Sequence, residues 1–416
     1  MFYDDSEDDD DLLSIEEIDA SAADESGEVK KQRPQQRRGP RRIRMNEDGD
    51  MDRFSVDNSL DIYDDGKGKS RKDKAKADGS KADNTGLTAK KVIIRTLVSI
   101  VTALFITVLG LLGVIAVLEF GPSKTARDLF VNSAMESSAG KFLAKLFLSD
   151  ETIADIRKAN SVVAVDEVTD SSLVDTSGAV TGDGIDEDGD GLDFYKLQTD
   201  TYTGILVKVY DPSRVCVGIS GEYGENCSGK KVCEMVEMYG GVLAVNAGGF
   251  YDANGMGTGG IPDGLVISDG ELKYGSLNTT YEVIGFDNEN KLVVGNMTAQ
   301  AALDRGVHSA VSFGPILIVN GEAAEINGAG SGLNPRTAVG QCADGTILLL
   351  VIDGRQTNSL GASYADLIDV MLQYGAVNAA NLDGGSSSVM YYNGEYINNC
   401  SSMIGDRSIP TCILVK

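Results

Sequence analysis

The chain has 416 residues, a formal net charge of −26, six cysteines, one histidine and no tryptophan. The acidic balance argues against nucleic acid as a partner, because a phosphate backbone is bound by clustered Lys and Arg. A lone histidine excludes a multi-histidine zinc site and leaves any Ser-His-Asp or Cys-His arrangement only His308 to use.

Residues 1–90 read as a disordered cytoplasmic tail in charge blocks. Asp4 to Glu28 is acidic, Lys30 to Arg44 is basic, and Glu47 to Asp83 mixes the signs. Too little apolar surface is available to offset the entropy of ordering. The basic block Arg37, Arg38, Arg41, Arg42 and Arg44 reads as solvated tail, with anionic lipid as the alternative contact.

Residues 91–119 read as a single-pass membrane anchor. Thr96 to Leu118 is uncharged and strongly apolar, and at about 1.5 Å per residue it spans a hydrocarbon core of about 30 Å. Lys81, Lys90, Lys91 and Arg95 precede it, and only Lys124 and Arg127 closely follow. That excess predicts a cytoplasmic N-terminus, with the C-terminal domain on the extracytoplasmic side of the cell membrane.

Residues 120–200 read as a helical stalk and an acidic linker. Ala126 to Ile156 carries Leu129, Phe130, Met135, Phe142, Leu146 and Phe147 among polar residues. Such a stalk could pack on itself, on a twin chain as a homo-oligomer, or on the outer membrane surface. Ser161 to Asp190 reads as linker; within it Asp186-Glu-Asp188-Gly-Asp190-Gly191 begins like a calcium loop, but Leu197 stands where an EF-hand needs its bidentate Glu.

Residues 201–416 carry the globular signal. Strands are predicted over Thr203–Tyr210, Val242–Asn246, Tyr281–Phe286, Ala310–Val319, Thr346–Ile352, Val377–Leu382 and Thr411–Val415. Ser363 to Tyr374 is the clearest helix, with Leu367, Ile368, Met371 and Leu372 on one face and Gly375 suited to its C-cap. Lys230 to Tyr239 is a shorter one. Strands outnumber helices, which predicts an α+β fold, a mixed β-sheet domain with a few helices. All six cysteines fall here, where an extracytoplasmic location permits disulfides; Cys227 with Cys233 and Cys400 with Cys412 are the local pairings.

Four segments share one grammar, an apolar run beside Gly or Pro with Asn, Asp or Arg at the junction. They are Val245-Asn246-Ala-Gly-Gly-Phe250, Asn334-Pro-Arg336-Thr337-Ala, Val351-Ile-Asp353-Gly354-Arg355, and Asn381-Leu-Asp383-Gly384-Gly385-Ser386-Ser387-Ser388. Polar side chains at strand ends sit on a rigid scaffold facing loops, where sites gather. Arginine forks bind phosphate, while amides and carboxylates bind sugar hydroxyls. The paired glycines Gly384 and Gly385 let backbone amides approach an anion, and Ser386 and Ser387 add hydroxyls. Each segment alone could equally be a turn or a surface charge.

Taken together, Asn246-Ala-Gly-Gly-Phe250, Pro335-Arg336-Thr337-Ala-Val-Gly340, Asp353-Gly354-Arg355, Asn381-Leu-Asp383-Gly384-Gly385 and the ending Gly405-Asp-Arg407 to Val415 resemble the phosphodiester glycosidase family. Members often have a third glycine where this chain has Ser386. The resemblance covers about half the chain and implies hydrolysis of a glycosyl phosphodiester, in a cell-envelope or extracellular glycopolymer. On that reading Asp383 is base or nucleophile, Asp353 is a second carboxylate or orienting group, and Arg336 and Arg355 clamp phosphate. Asn246, Asn381, Gly384, Gly385, Ser386 and Ser387 hold substrate. The resemblance assigns no definite cofactor, and the paired aspartates could recruit a divalent cation. The alternatives are a non-catalytic glycopolymer-binding surface protein and a glycosyl or glycosyl-phosphate transferase of exopolysaccharide metabolism.

Overall fold

The computed structural model describes residues 41–42, 89–137, 140–178, 189–252, 257–402 and 405–416. The remainder of the tail predicted over 1–90, and Asp186 to Asp188 of the calcium-like stretch, lie outside the described residues. A two-residue strand, β1 (Arg41–Arg42), pairs with the edge of the first sheet. The apolar run is a single helix, α1 (Ala89–Phe120). It is long and apolar enough to cross a membrane, and most of its Leu, Ile, Val and Phe side chains face outward instead of packing on the protein.

Three short helices follow. They are α2 (Lys124–Met135) with Ser123 as its N-cap, α3 (Lys141–Ala144), and α4 (Asp150–Lys158) capped by Ser149. Val131, Ala134, Ala144, Ile153 and Ile156 form their shared core. The predicted stalk is therefore helical, but it is docked onto the domain. Leu333 N donates to Ser133 Oγ at 2.8 Å, and Asn160 ties α2 to the loop at Ala329. The stretch read as linker also lies along the domain, with Val163 N donating to Glu325 O, Thr169 N to Val294 O and Asp175 N to Ala343 O.

The domain proper runs β2 (Leu192–Gln198), β3 (Thr203–Val209), β4 (Val215–Ile219), α5 (Val232–Tyr239), β5 (Leu243–Asn246), β6 (Val266–Ser268), β7 (Glu271–Tyr274), β8 (Thr280–Asp287) and β9 (Leu292–Thr298). It continues with α6 (Ala299–Asp304), β10 (Val307–Ser312), β11 (Ile316–Val319), β12 (Glu322–Ala323), β13 (Arg336–Cys342), β14 (Ile347–Ile352), α7 (Tyr364–Gln373), β15 (Ala376–Leu382), β16 (Met390–Tyr392), β17 (Glu395–Tyr396) and β18 (Thr411–Val415). These strands make three antiparallel sheets, ordered β1-β2-β3-β14-β13-β15-β11-β12, β7-β6-β10-β8-β9 and β17-β16-β5-β18-β4. The fold is the α+β class expected.

β14 shows how the layers form. Ile347, Leu349 and Val351 point into a core shared with Val217, Val245, Ile284 and Val311 of the other sheets. Leu348, Leu350 and Ile352 point the other way, onto Leu367 and Met371 of α7. Burial on both faces explains why this strand is continuously apolar. Ser363 caps α7 in a reciprocal capping box with Asp366.

Two expectations are corrected. Ala310 to Val319 is two strands in different sheets, because Pro315 has no N–H to give a ladder. All six cysteines are unbonded, so neither local disulfide forms.

Candidate active site

β13, β14, β15 and β5 bring the four segments to one end of the fold. Register pairs Thr337 with Leu382 and Arg336 with Ile352. Asp383 therefore leaves β15 beside Arg336 at the start of β13, while Asp353 leaves β14 on the other side.

Asp383 is held by its backbone. Its N–H donates to Ala247 O at 2.8 Å, and its carbonyl accepts from Asn246 Nδ2 at 2.5 Å. Buried Asn246 is fully engaged, since its Oδ1 accepts from Thr337 Oγ1 at 2.7 Å and from Val389 N at 3.1 Å. Asn246 therefore supports Asp383 from behind. Asn381 is also buried and donates to Gly314 O at 2.7 Å.

The Asp383 carboxyl is half-buried and is pushed up to about 6, chiefly by desolvation. Bonds from Ser387 and Gly384 N–H, and the Arg407 charge, pull the other way, while the Asp252 charge adds to the rise. Gly384 N lies 2.9 Å from Asp383 Oδ1. The turn that follows needs its glycines. A Cβ on Gly384 would stand 2.9 Å from Pro335 O, and Gly385 has φ +63° with its missing Cβ 3.1 Å from Arg355 Nη1. Ser387 is buried beneath this turn and Ser386 lies half-buried on it.

The two arginines differ. Arg336 is buried and spent internally: Nε donates to Ala362 O, and Nη2 to Ser331 Oγ, Gly332 O and Glu136 Oε2, the last at 2.7 Å. Its guanidinium lies over the Tyr364 ring at 4.2 Å. Arg355 is solvent-accessible and sits at φ +58°. Nε and Nη2 donate to Asn334 Oδ1 at 3.3 and 2.9 Å, leaving Nη1 against the Gly384-Gly385 turn.

Asp353 is buried and accepts from Asn398 Nδ2 and Asn399 N, both at 3.0 Å. Burial raises its pKa and those donors oppose the rise. Among the described residues no cluster of three or more His, Cys, Asp or Glu stands at metal-binding spacing.

Three contributors escaped the sequence reading of the site: Arg407, Asp252 and Glu136. Arg407 and Asp252 form a bidentate pair, both arms at 2.9 Å, with Arg407 stacked 4.8 Å from the Phe250 ring. Burial works against the Asp252 carboxylate, but Arg407 and Gly257 N–H hold it below the usual range. Arg407 could have been found, since it lies in the matched closing segment. Glu136 could not, as it comes from the helical segment outside every motif. A cleft lined by Phe250, Tyr251, Asp252, Ile261, Pro262 and Asp263 opens alongside.

Residues 239–416 match the family model described as phosphodiester glycosidase. The chain is 31% identical over 194 residues to the SPbeta prophage-derived uncharacterized protein YomE of Bacillus subtilis (strain 168), covering 43% of this chain and 29% of that protein. It is 29% identical over 211 residues to the N-acetylglucosamine-1-phosphodiester alpha-N-acetylglucosaminidase of Mus musculus, covering 46% and 40%. Among solved structures it is similar to the zebrafish catalytic domain of that name, auto-inhibited by its pro-peptide, with 24% identity, TM-score 0.45, and 54% and 81% of the two chains covered. The chain spans under half the length of the curated relatives it matches.

Proposed function

We propose that this chain, whose residues 239–416 match the phosphodiester glycosidase family model, is a membrane-tethered hydrolase that cleaves sugar-1-phosphodiester bonds in cell-envelope or extracellular glycopolymers. The observation that carries this reading is Asp383, a half-buried carboxyl set among charged partners at the junction of four motifs. Its raised pKa suits a group that is ionised at neutral pH yet basic enough to take a proton. In the proposed reaction water attacks the anomeric carbon, the C1–O bond breaks, and the phosphate monoester leaves with the bonding electrons. Asp383 removes the water's proton, or attacks C1 first and is released by water.

Arg355 Nη1 and the Gly384-Gly385 turn face one another, and this pair would receive the phosphate, with Ser386 adding a hydroxyl. Arg336 serves from behind by holding the Ser331–Asn334 loop. Asp353 serves by fixing the Asn398-Asn399 turn, and Asn246, Asn381 and Ser387 by fixing the Asp383 segment. A divalent cation has no step in this scheme.

We place the tail in the cytoplasm and the domain outside. The pairing of β1 with β2 must then open. Two residues' worth of ladder is worth about 1 kcal/mol per hydrogen bond. The fifteen Leu, Ile, Val and Phe of 96–118 favour lipid by about 0.3–0.6 kcal/mol each. Lipid wins.

The test is sugar release from a panel of glycosyl phosphodiesters by the full chain, with and without chelator, beside Asp383→Asn. Release that disappears in the variant supports the reading. Binding without release by the wild-type chain would make it a glycopolymer-binding protein. Product that appears only with an acceptor would make it a transferase.

A further inference from the structure

We propose that residues 140–148 form a membrane seat, an apolar surface that rests in the headgroup layer of the bilayer crossed by α1. Phe142, Leu146 and Phe147 are 62, 44 and 43% exposed, a concentration of large apolar side chains that a water-facing surface seldom carries. The occupant is argued from continuity. Phe147 stacks edge-on against Phe120 at the end of α1, ring centroids 6.2 Å apart, and Phe120 is itself 65% exposed. The patch is thus the direct extension of the surface that α1 offers to lipid. Lys141 and Lys145 are also exposed and interleave with the apolar residues. That is the pattern of a segment lying in the interface, with apolar side chains down and cations at headgroup level. Ala144, on the opposite side, is buried against α2 and α4, so the segment presents one face to the protein and the other to lipid.

The seat limits the height of the candidate site above the bilayer. α2 leaves the same junction and has 12 residues, and Glu136 at its C-cap bonds to Arg336. At 1.5 Å per residue that is about 20 Å from the end of α1 to the site. If the hydrolase reading holds, the substrate class that reaches such a site is a phosphodiester carried at or close to the membrane surface.

The absence of tryptophan makes the seat testable by itself. Phe142→Trp and Phe147→Trp, made separately in the full chain, each install a sole tryptophan; Leu277→Trp, in an exposed loop of the second sheet, is the control. In vesicles of brominated phosphatidylcholine, F142W and F147W emission should fall by about half or more relative to unbrominated lipid, and L277W should not change. Emission from both variants as insensitive as the control overturns the seat. So does blue-shifted emission that bromine leaves intact and that is lost on dilution in detergent, which would make the face a contact between copies. Neither outcome depends on turnover, so failure of the seat and failure of the hydrolase reading are separate results.

Discussion

Glu136, on the docked helical segment, accepts from Arg336 Nη2 and from Asn334 Nδ2, both at 2.7 Å, and Asn334 in turn accepts from Arg355. One carboxylate outside residues 239–416 therefore sets both arginines at the candidate site. Glu136→Gln removes the charge partner of a buried guanidinium. Because Glu136 is partly exposed, the expected loss is about 1–3 kcal/mol, below the full cost of a broken buried pair. Thermal unfolding of the full chain checks this. Glu136→Gln with Asn334→Ala should cost less than the sum of the two, since the second bond depends on the first.

Asp383 is expected to trade stability for activity. Its folded pKa, about 6, lies above the ordinary aspartate value of 3.8. The folded state therefore holds the proton more tightly, and its stability falls as pH rises from about 4 to about 6. Above pH 6 the ionised group destabilises the fold. Asp383→Asn should then raise stability at pH 7.5 by about 1–3 kcal/mol, and leave it nearly unchanged at pH 4 or below. Activity should be lost at pH 7.5, where the wild-type carboxyl is ionised. Equal Tm changes at the two pH values would show that burial does not perturb this carboxyl.

Much of the scaffold could be read because burial leaves a pattern. β14 is apolar throughout since both faces are covered, and α7 shows its Leu367–Met371 stripe and its Ser363 cap. The β13–β15 motifs were legible as a set because antiparallel pairing carries their ends to one place. Four things were not. Pro315 divides a run that reads as one strand. β2, β4, β6, β7, β9, β13 and β16 were missed, runs of mixed residues whose burial comes from partners far along the chain. Glu136 looks like any exposed helix residue, and only docking gives it a role. Arg336 and Arg355 look alike in sequence, yet tertiary contacts bury one and leave the other accessible.

Activity against pH should show an acidic limb near pH 6, where Asp383 takes up a proton and can no longer act as base or nucleophile. Ser387 donates to the charged form and holds that limb down. Ser387→Ala should move it up by about half a unit to one unit, with activity on the plateau largely retained. A limb that stays in place while the plateau falls would assign Ser387 to substrate instead.

Gly385 is the sharpest test of the phosphate cradle. Alanine there meets two obstacles: a backbone at φ +63°, and the Arg355 guanidinium 3.1 Å from the new Cβ. The backbone term costs about 1–2 kcal/mol. The guanidinium is the end of a flexible chain, so it yields by swinging away from the turn. If Arg355 and the turn receive the phosphate together, KM should rise about tenfold with kcat little changed. Gly394→Ala separates the two effects, because it has φ +99° with nothing within 4 Å of its Cβ. It should share the stability loss and keep the wild-type KM. A similar KM change in both variants would show that backbone strain, and not the displaced guanidinium, governs binding.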